Sequence, residues 1–154
     1  MLYLIRHADA VIGPIDEQRY LSPYGNAQVK TLGAFIKKKD IKKPDELWHS
    51  TLVRAKQTAL GLCKEIGWSI PILETEDLKP DDDCSIILKK LKSETRDIAI
   101  VGHNPYLECL ASRLLKNESV VFEKASCLIL ERISSKSLVE WKMITQFSAD
   151  SLNQ

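Results

Sequence analysis

The chain has 154 residues, with 22 Lys+Arg against 21 Asp+Glu for a net charge of +1, and 44% of its residues are hydrophobic. That suffices for one globular domain with a core of its own, and the near balance of charge argues against a polyanion-binding surface and so against nucleic acid as a partner. No apolar run approaches the roughly 20 residues that cross a bilayer, and the opening run meets Arg6 too early for a signal peptide, so a cytoplasmic protein without membrane association is expected.

In chain order, residues 1–5 form a continuous apolar run that suits a strand buried on both faces of a parallel sheet. A polar loop with Gly13 and Pro14 occupies residues 9–21. Ser22-Pro23 then reads as an N-cap with proline in the first helical position. Tyr24, Val29, Leu32, Phe35 and Ile36 supply the apolar stripe of a helix that runs to about Lys39. Leu47-Trp48 closes a second short strand, and Ser50 is expected to cap a helix striped by Leu52, Ala55, Ala59, Leu62 and Ile66 and ended by Gly67. Residues 70–73 read as a strand, 74–83 as an acidic loop and 85–91 as a short helix.

The clearest later strand is 97–101. Asn104 at an N-cap and Pro105 at the first position open a helix with Leu107, Leu110, Ala111, Leu114 and Leu115 at i, i+3, i+4, i+7 and i+8. Residues 128–133 and 138–143 are strand-like and joined by a hairpin turn at 134–137. Strands that alternate with long helices imply a three-layer α/β/α sandwich with a mainly parallel sheet and an antiparallel C-terminal hairpin. A single domain over 1–154 is expected, with about 144–154 as a tail. Cys63, Cys84, Cys109 and Cys127 have neither disulfide nor metal spacing and are expected to be reduced.

Ligands of open α/β sheets bind beyond the carboxyl ends of the strands. The expected strands end in Arg6-His7 and in Gly102-His103, and Arg54 follows the second strand early in its helix. Either histidine alone would be read as structural, as His49 is. Two histidines with two arginines on one rim, and few carboxylates in the same segments, call for an anion. A phosphoryl group matches guanidinium forks, a histidine and helix-terminal N–H groups. His7, at a strand end, is expected to face solvent. Lys37-Lys38-Lys39 and Lys42-Lys43 are read as solvated cations near a helix C-terminus. Lys124-Ala125-Ser126 is placed at the same rim without a catalytic role.

Three segments, Leu4-Ile5-Arg6-His7-Ala8, residues 50–59 with Arg54, and Val101-Gly102-His103-Asn104-Pro105, resemble the histidine phosphatase superfamily (phosphoglycerate mutase-like) in order and spacing. With the short chain and Leu21-Ser22-Pro23-Tyr24-Gly25, they look most like its SixA-type phosphohistidine phosphatase branch. The resemblance implies that His7 becomes transiently phosphorylated while Arg6, Arg54 and His103 hold the phosphoryl oxygens. It implies no cofactor and no metal.

It also implies a phosphorylated partner, either a protein carrying phosphohistidine or a small phosphorylated molecule. Ala8 stands where the wider superfamily has glycine, and Thr51 where proline is common. No clear equivalent of the family's general acid is present, so Asp77, Asp81, Asp82 and Asp83 are the candidates. A small-molecule ester phosphatase and a phosphate-dependent binding module with little turnover are the alternatives to a phosphohistidine phosphatase.

Overall fold

The computed structural model describes residues 1–135 and 138–153. Six strands form one sheet in the order β3-β2-β4-β1-β5-β6, comprising β1 (Leu2–Arg6), β2 (Glu46–His49), β3 (Ile72–Glu74), β4 (Ile98–Gly102), β5 (Ser126–Ser135) and β6 (Leu138–Ser148). The first four are mutually parallel, whereas β5 runs antiparallel to both β1 and β6. Four helices cover the sheet: α1 (Pro23–Lys38), α2 (Val53–Ile66), α3 (Cys84–Ser93) and α4 (Tyr106–Leu114).

Side-chain alternation divides the core in two. Leu2 and Leu4 of β1, Ile98 and Ile100 of β4 and Leu128 and Leu130 of β5 pack with α3 and α4. Their neighbours Tyr3, Ile5, Ala99, Val101, Cys127 and Ile129 pack with α1 and α2 on the other face. The runs Leu2–Ile5 of β1 and Ile98–Val101 of β4 are apolar throughout, as suits strands covered on both faces. This is the three-layer α/β/α architecture expected from the apolar runs. No helix among the described residues is long and apolar enough to cross a membrane.

Ser22 caps α1 as expected, its hydroxyl accepting from the Gly25 N–H. A Cβ on Gly25 would stand 1.9 Å from the carbonyl oxygen of Asp9, so only glycine lets α1 abut the segment that follows His7. Tyr24, assigned to the apolar stripe, is instead exposed, and its hydroxyl donates to Asp150.

Two helix starts differ from expectation. α2 begins at Val53 with Leu52 as its cap, because the Ser50 hydroxyl accepts the Leu52 N–H and closes a turn before the helix. α4 begins at Tyr106, since the Asn104 side chain donates to the Phe122 carbonyl and to Glu108 rather than capping. The strand pair β5–β6 is longer than expected: residues 144–148, assigned to a tail, continue β6 as far as Ser148 opposite Ser126. Ser134 and Ser135 belong to β5, while Lys136 and Ser137 of the expected turn lie outside the described residues.

Candidate active site

The parallel register of the two central strands brings the chemistry together. Arg6 pairs with Gly102, so the next residues, His7 and His103, emerge side by side beyond the carboxyl edge. Their ring centroids lie 4.9 Å apart. The His7 N–H donates to the Gly102 carbonyl at 3.0 Å, and the His7 carbonyl accepts from Ala125 at 3.1 Å. Contrary to expectation His7 is buried, because Arg54 and His103 close over it.

Hydrogen bonding selects the tautomer of His7. Its Nδ1 is 2.7 Å from the Ala8 carbonyl, an atom that can only accept, so in the neutral ring Nδ1 carries the hydrogen. Nε2 is left with its lone pair, and Nε of Arg54 donates to it at 3.3 Å. Arg54 stands in the first turn of α2, 4% exposed, and its neighbour Thr58 accepts from the Ala8 N–H, which couples this helix to the His7 loop. Arg6 donates through Nη1 to the Phe122 carbonyl at 2.7 Å.

His103 is 1% exposed, and neither of its ring nitrogens has a partner among the described residues; Nε of Arg6 is in the same condition. Buried polar atoms without partners cost roughly 1–3 kcal/mol each, and here they converge on one cluster. Arg6, Arg54 and Lys124 surround it with positive charge. The arrangement is built for an oxyanion.

Burial is the main reason that both histidines ionise less readily than usual. His7 is pushed down to about 4; its bond to Ala8 works against this, and the charges of Arg54, Arg6 and Lys124 add to it. His103 is pushed down to about 3, with His7 and Arg54 as the next causes. Both rings are therefore neutral near pH 7, which keeps Nε2 of His7 nucleophilic.

The shifts also make stability depend on pH. Unfolded histidines take up protons below about pH 6.5, while these two in the folded chain do not. Their contribution is complete above pH 6.5 and is lost as pH falls toward about 4 and 3. Urea unfolding in oxyanion-free buffer should show stability declining between pH 7 and 5, with a slope of up to about 1.4 kcal/mol per pH unit for each histidine. A flat profile over that interval would mean that the native rings accept protons freely.

The four carboxylates proposed from sequence as acids make other contacts. Asp83 caps α3 through Ser85, Asp82 accepts from the Lys79 N–H, and Asp81 and Asp82 line a cavity with Pro105, Tyr106 and Cys109. The hydroxyl of Tyr106 is pushed up by burial and then by charges that include Asp82, Asp77 and Asp83. None of the four hydrogen-bonds to Arg6, His7, Arg54 or His103.

The carboxylate that reaches Arg54 is Asp16. Its Oδ2 and its carbonyl accept from Nη2 and Nη1 of Arg54 at 3.0 and 2.8 Å. Sequence reading missed it because it sits in an aperiodic loop; its one local mark is Arg19 three residues on, which donates to Oδ1. Lys124 does reach this rim, where it pairs with Asp9 at 2.5 Å. His49 lies apart, with Nδ1 2.8 Å from the Ser50 carbonyl.

Fold and cluster together define a class: an α/β protein with a basic, histidine-bearing oxyanion site at the carboxyl edge of its sheet. Residues 2–80 match the family model of the histidine phosphatase superfamily (branch 1), and the chain belongs to that superfamily, which makes it a phosphatase by family. No curated protein matches the chain significantly in sequence. Among solved structures it is similar to the protein histidine phosphatase SixA complexed with tungstate, at TM-score 0.87 and 19% identity over 98% of each chain. A protein assigned as the phosphohistidine phosphatase SixA of Agrobacterium tumefaciens superposes at TM-score 0.81 and 21% identity over 96% of each chain. A mycobacterial glucosyl-3-phosphoglycerate phosphatase with bound VO3 follows at 0.69 and 16%, covering 94% of this chain and 97% of that one.

Proposed function

We propose that residues 1–154 act as one domain, a cytoplasmic phosphatase that removes a phosphoryl group from phosphohistidine in a protein by way of a phosphoryl intermediate on Nε2 of His7. The four free thiols suit a reducing compartment. In the first step a P–N bond forms to His7 as the bond to the leaving group breaks; in the second, water attacks phosphorus and returns His7. Arg6, Arg54 and His103 hold the phosphoryl oxygens in both steps, supplying positive charge where a loose transition state spreads negative charge.

The preference for phosphohistidine rests on one observation. Asp16 is the carboxylate that hydrogen-bonds to Arg54; although burial works against ionisation, Arg54 and Arg19 hold its carboxyl below the usual range in the resting protein, and a carboxyl displaced into water, with an ordinary pKa of about 3.9, is ionised at neutral pH as well. A carboxylate held ionised does not donate a proton to a leaving group. An alkoxide, whose acid resembles water at pKa about 15.7, leaves poorly without one, whereas imidazole with a pKa of about 6.5 carries its own proton.

General acid catalysis is typically worth about 10² to 10⁴-fold, so kcat/KM for a phosphohistidine peptide should exceed that for an alkyl phosphate by around two orders of magnitude or more. The measurement is a comparison of both substrates at one enzyme concentration. Neutralising Asp77, Asp81, Asp82 and Asp83 one at a time should leave the phosphohistidine rate nearly unchanged. Equal rates on the two substrates, or selective loss of alkyl-ester hydrolysis in one of those variants, would make this an ester phosphatase with its own acid.

A further inference from the structure

Residues 10–21 form a loop pinched at its base by the Ala10–Leu21 bridge and by the Val11 N–H donating to the Tyr20 carbonyl at 2.9 Å. Its tip, the short turn Asp16–Gln18, lies over the first turn of α2 and presents the Asp16 carbonyl and carboxylate to Arg54. The two partners are held very differently. The Arg54 side chain is 5% exposed, whereas that of Asp16 is 55% exposed and, among the described residues, held otherwise only by Arg19 of the same loop. Ile12 and Ile15 nearby stand exposed, so little apolar packing fastens the tip. If one member of the pair moves, it is Asp16.

We propose that Asp16 is a displaceable counter-ion that sets the affinity of the site for its phosphoryl ligand: its carboxylate on Nη2 and its carbonyl on Nη1 occupy the outer fork of Arg54 in the resting protein, and the loop tip gives the fork up when a phosphoryl group arrives. This rests on the role proposed for Arg54 above. The two Nη groups that face Asp16 are the pair of parallel donors suited to bidentate recognition of a phosphoryl group, and they cannot serve both anions in the same geometry. A phosphoryl group with nearly two charges and three acceptor oxygens displaces a single carboxylate that also has water as a partner. The ionised state of Asp16 keeps the competition in force at neutral pH. Until then the carboxylate offsets one of the cations crowding the neutral His7 ring.

Such a counter-ion taxes every anion that needs the fork by the same factor, because only the fraction of molecules with Arg54 released is competent to bind. The test compares the parent protein with Asp16→Asn and Asp16→Ala, reading calorimetric binding of inorganic phosphate and of orthovanadate, KM and kcat for p-nitrophenyl phosphate, and thermal melting. In both variants the two dissociation constants and KM should fall together by about tenfold, with kcat moving less than KM and the melting midpoint showing that the fold is kept. Binding that is unchanged or weaker, or a fall in kcat with KM constant, would overturn the proposal and make Asp16 a positioning group for catalysis. A parent protein that binds neither oxyanion would instead overturn the reading of the site, and the counter-ion with it.

Discussion

His7→Ala is expected to abolish turnover, with a loss on the order of 10⁶-fold in kcat, the size seen when a covalent nucleophile is removed from an enzyme whose catalytic groups act as a unit. Brief exposure of the parent protein to a radiolabelled phosphoryl donor, followed by alkaline quench, should trap a label that alkali spares and acid releases, as a phosphoramidate requires. The variant should carry none. His7 is buried, so its removal is not structurally neutral: the bond to Ala8 is lost and Nε of Arg54 is released. The backbone at this position is nevertheless held by Gly102 and Ala125, and both bonds survive the substitution. The variant should therefore fold and still bind phosphate, since Arg6, Arg54 and His103 remain. Activity within tenfold of the parent would end the covalent mechanism.

Arg54→Ala should cost about 2.7 to 4 kcal/mol of transition-state stabilisation, 10²- to 10³-fold in kcat, if it acts as other preorganised donors to a developing oxyanion do. Lysine should not restore it, because a point charge cannot reproduce a planar fork that meets Nε2 of His7 along one edge and an acceptor pair along the other. A change confined to KM would show that Arg54 binds ground and transition states equally. The substitution also supplies a control for Asp16. In an Arg54→Ala background there is no fork to occupy, so Asp16→Asn should no longer tighten phosphate binding, a non-additivity of the kind shown by groups in direct contact.

The sheet was legible from sequence because its central strands are apolar without interruption, as in 98–101, and because a strand buried on both faces has no other simple reading. Arg6, His7 and His103 were legible for a related reason: in a parallel sheet the first polar residues after such runs stand at the ligand-binding edge. Helix starts were less so. Ser50 and Asn104 have capping chemistry, but one closes a turn with Leu52 and the other is drawn to Phe122 and Glu108, partners that only the folded chain supplies. Asp16 was invisible because its partner lies 38 residues away and its loop carries no period. The burial of His7 was misjudged for the same reason, since the residues that cover it come from α2 and from the end of β4.

One backbone contact separates the site into two regimes of motion. The amide of His7 is bonded to the Gly102 carbonyl between the two central strands, just beyond the end of β1, while the tip of the loop that carries Asp16 rests on polar contacts at the surface. An amide in the first setting is expected to exchange its hydrogen with solvent more slowly than one in the second, where local excursions cost less. The proposed exchange of the Asp16 carboxylate would therefore draw on the motion of a loop tip, leaving the nucleophile in register for phosphorus on the central strands.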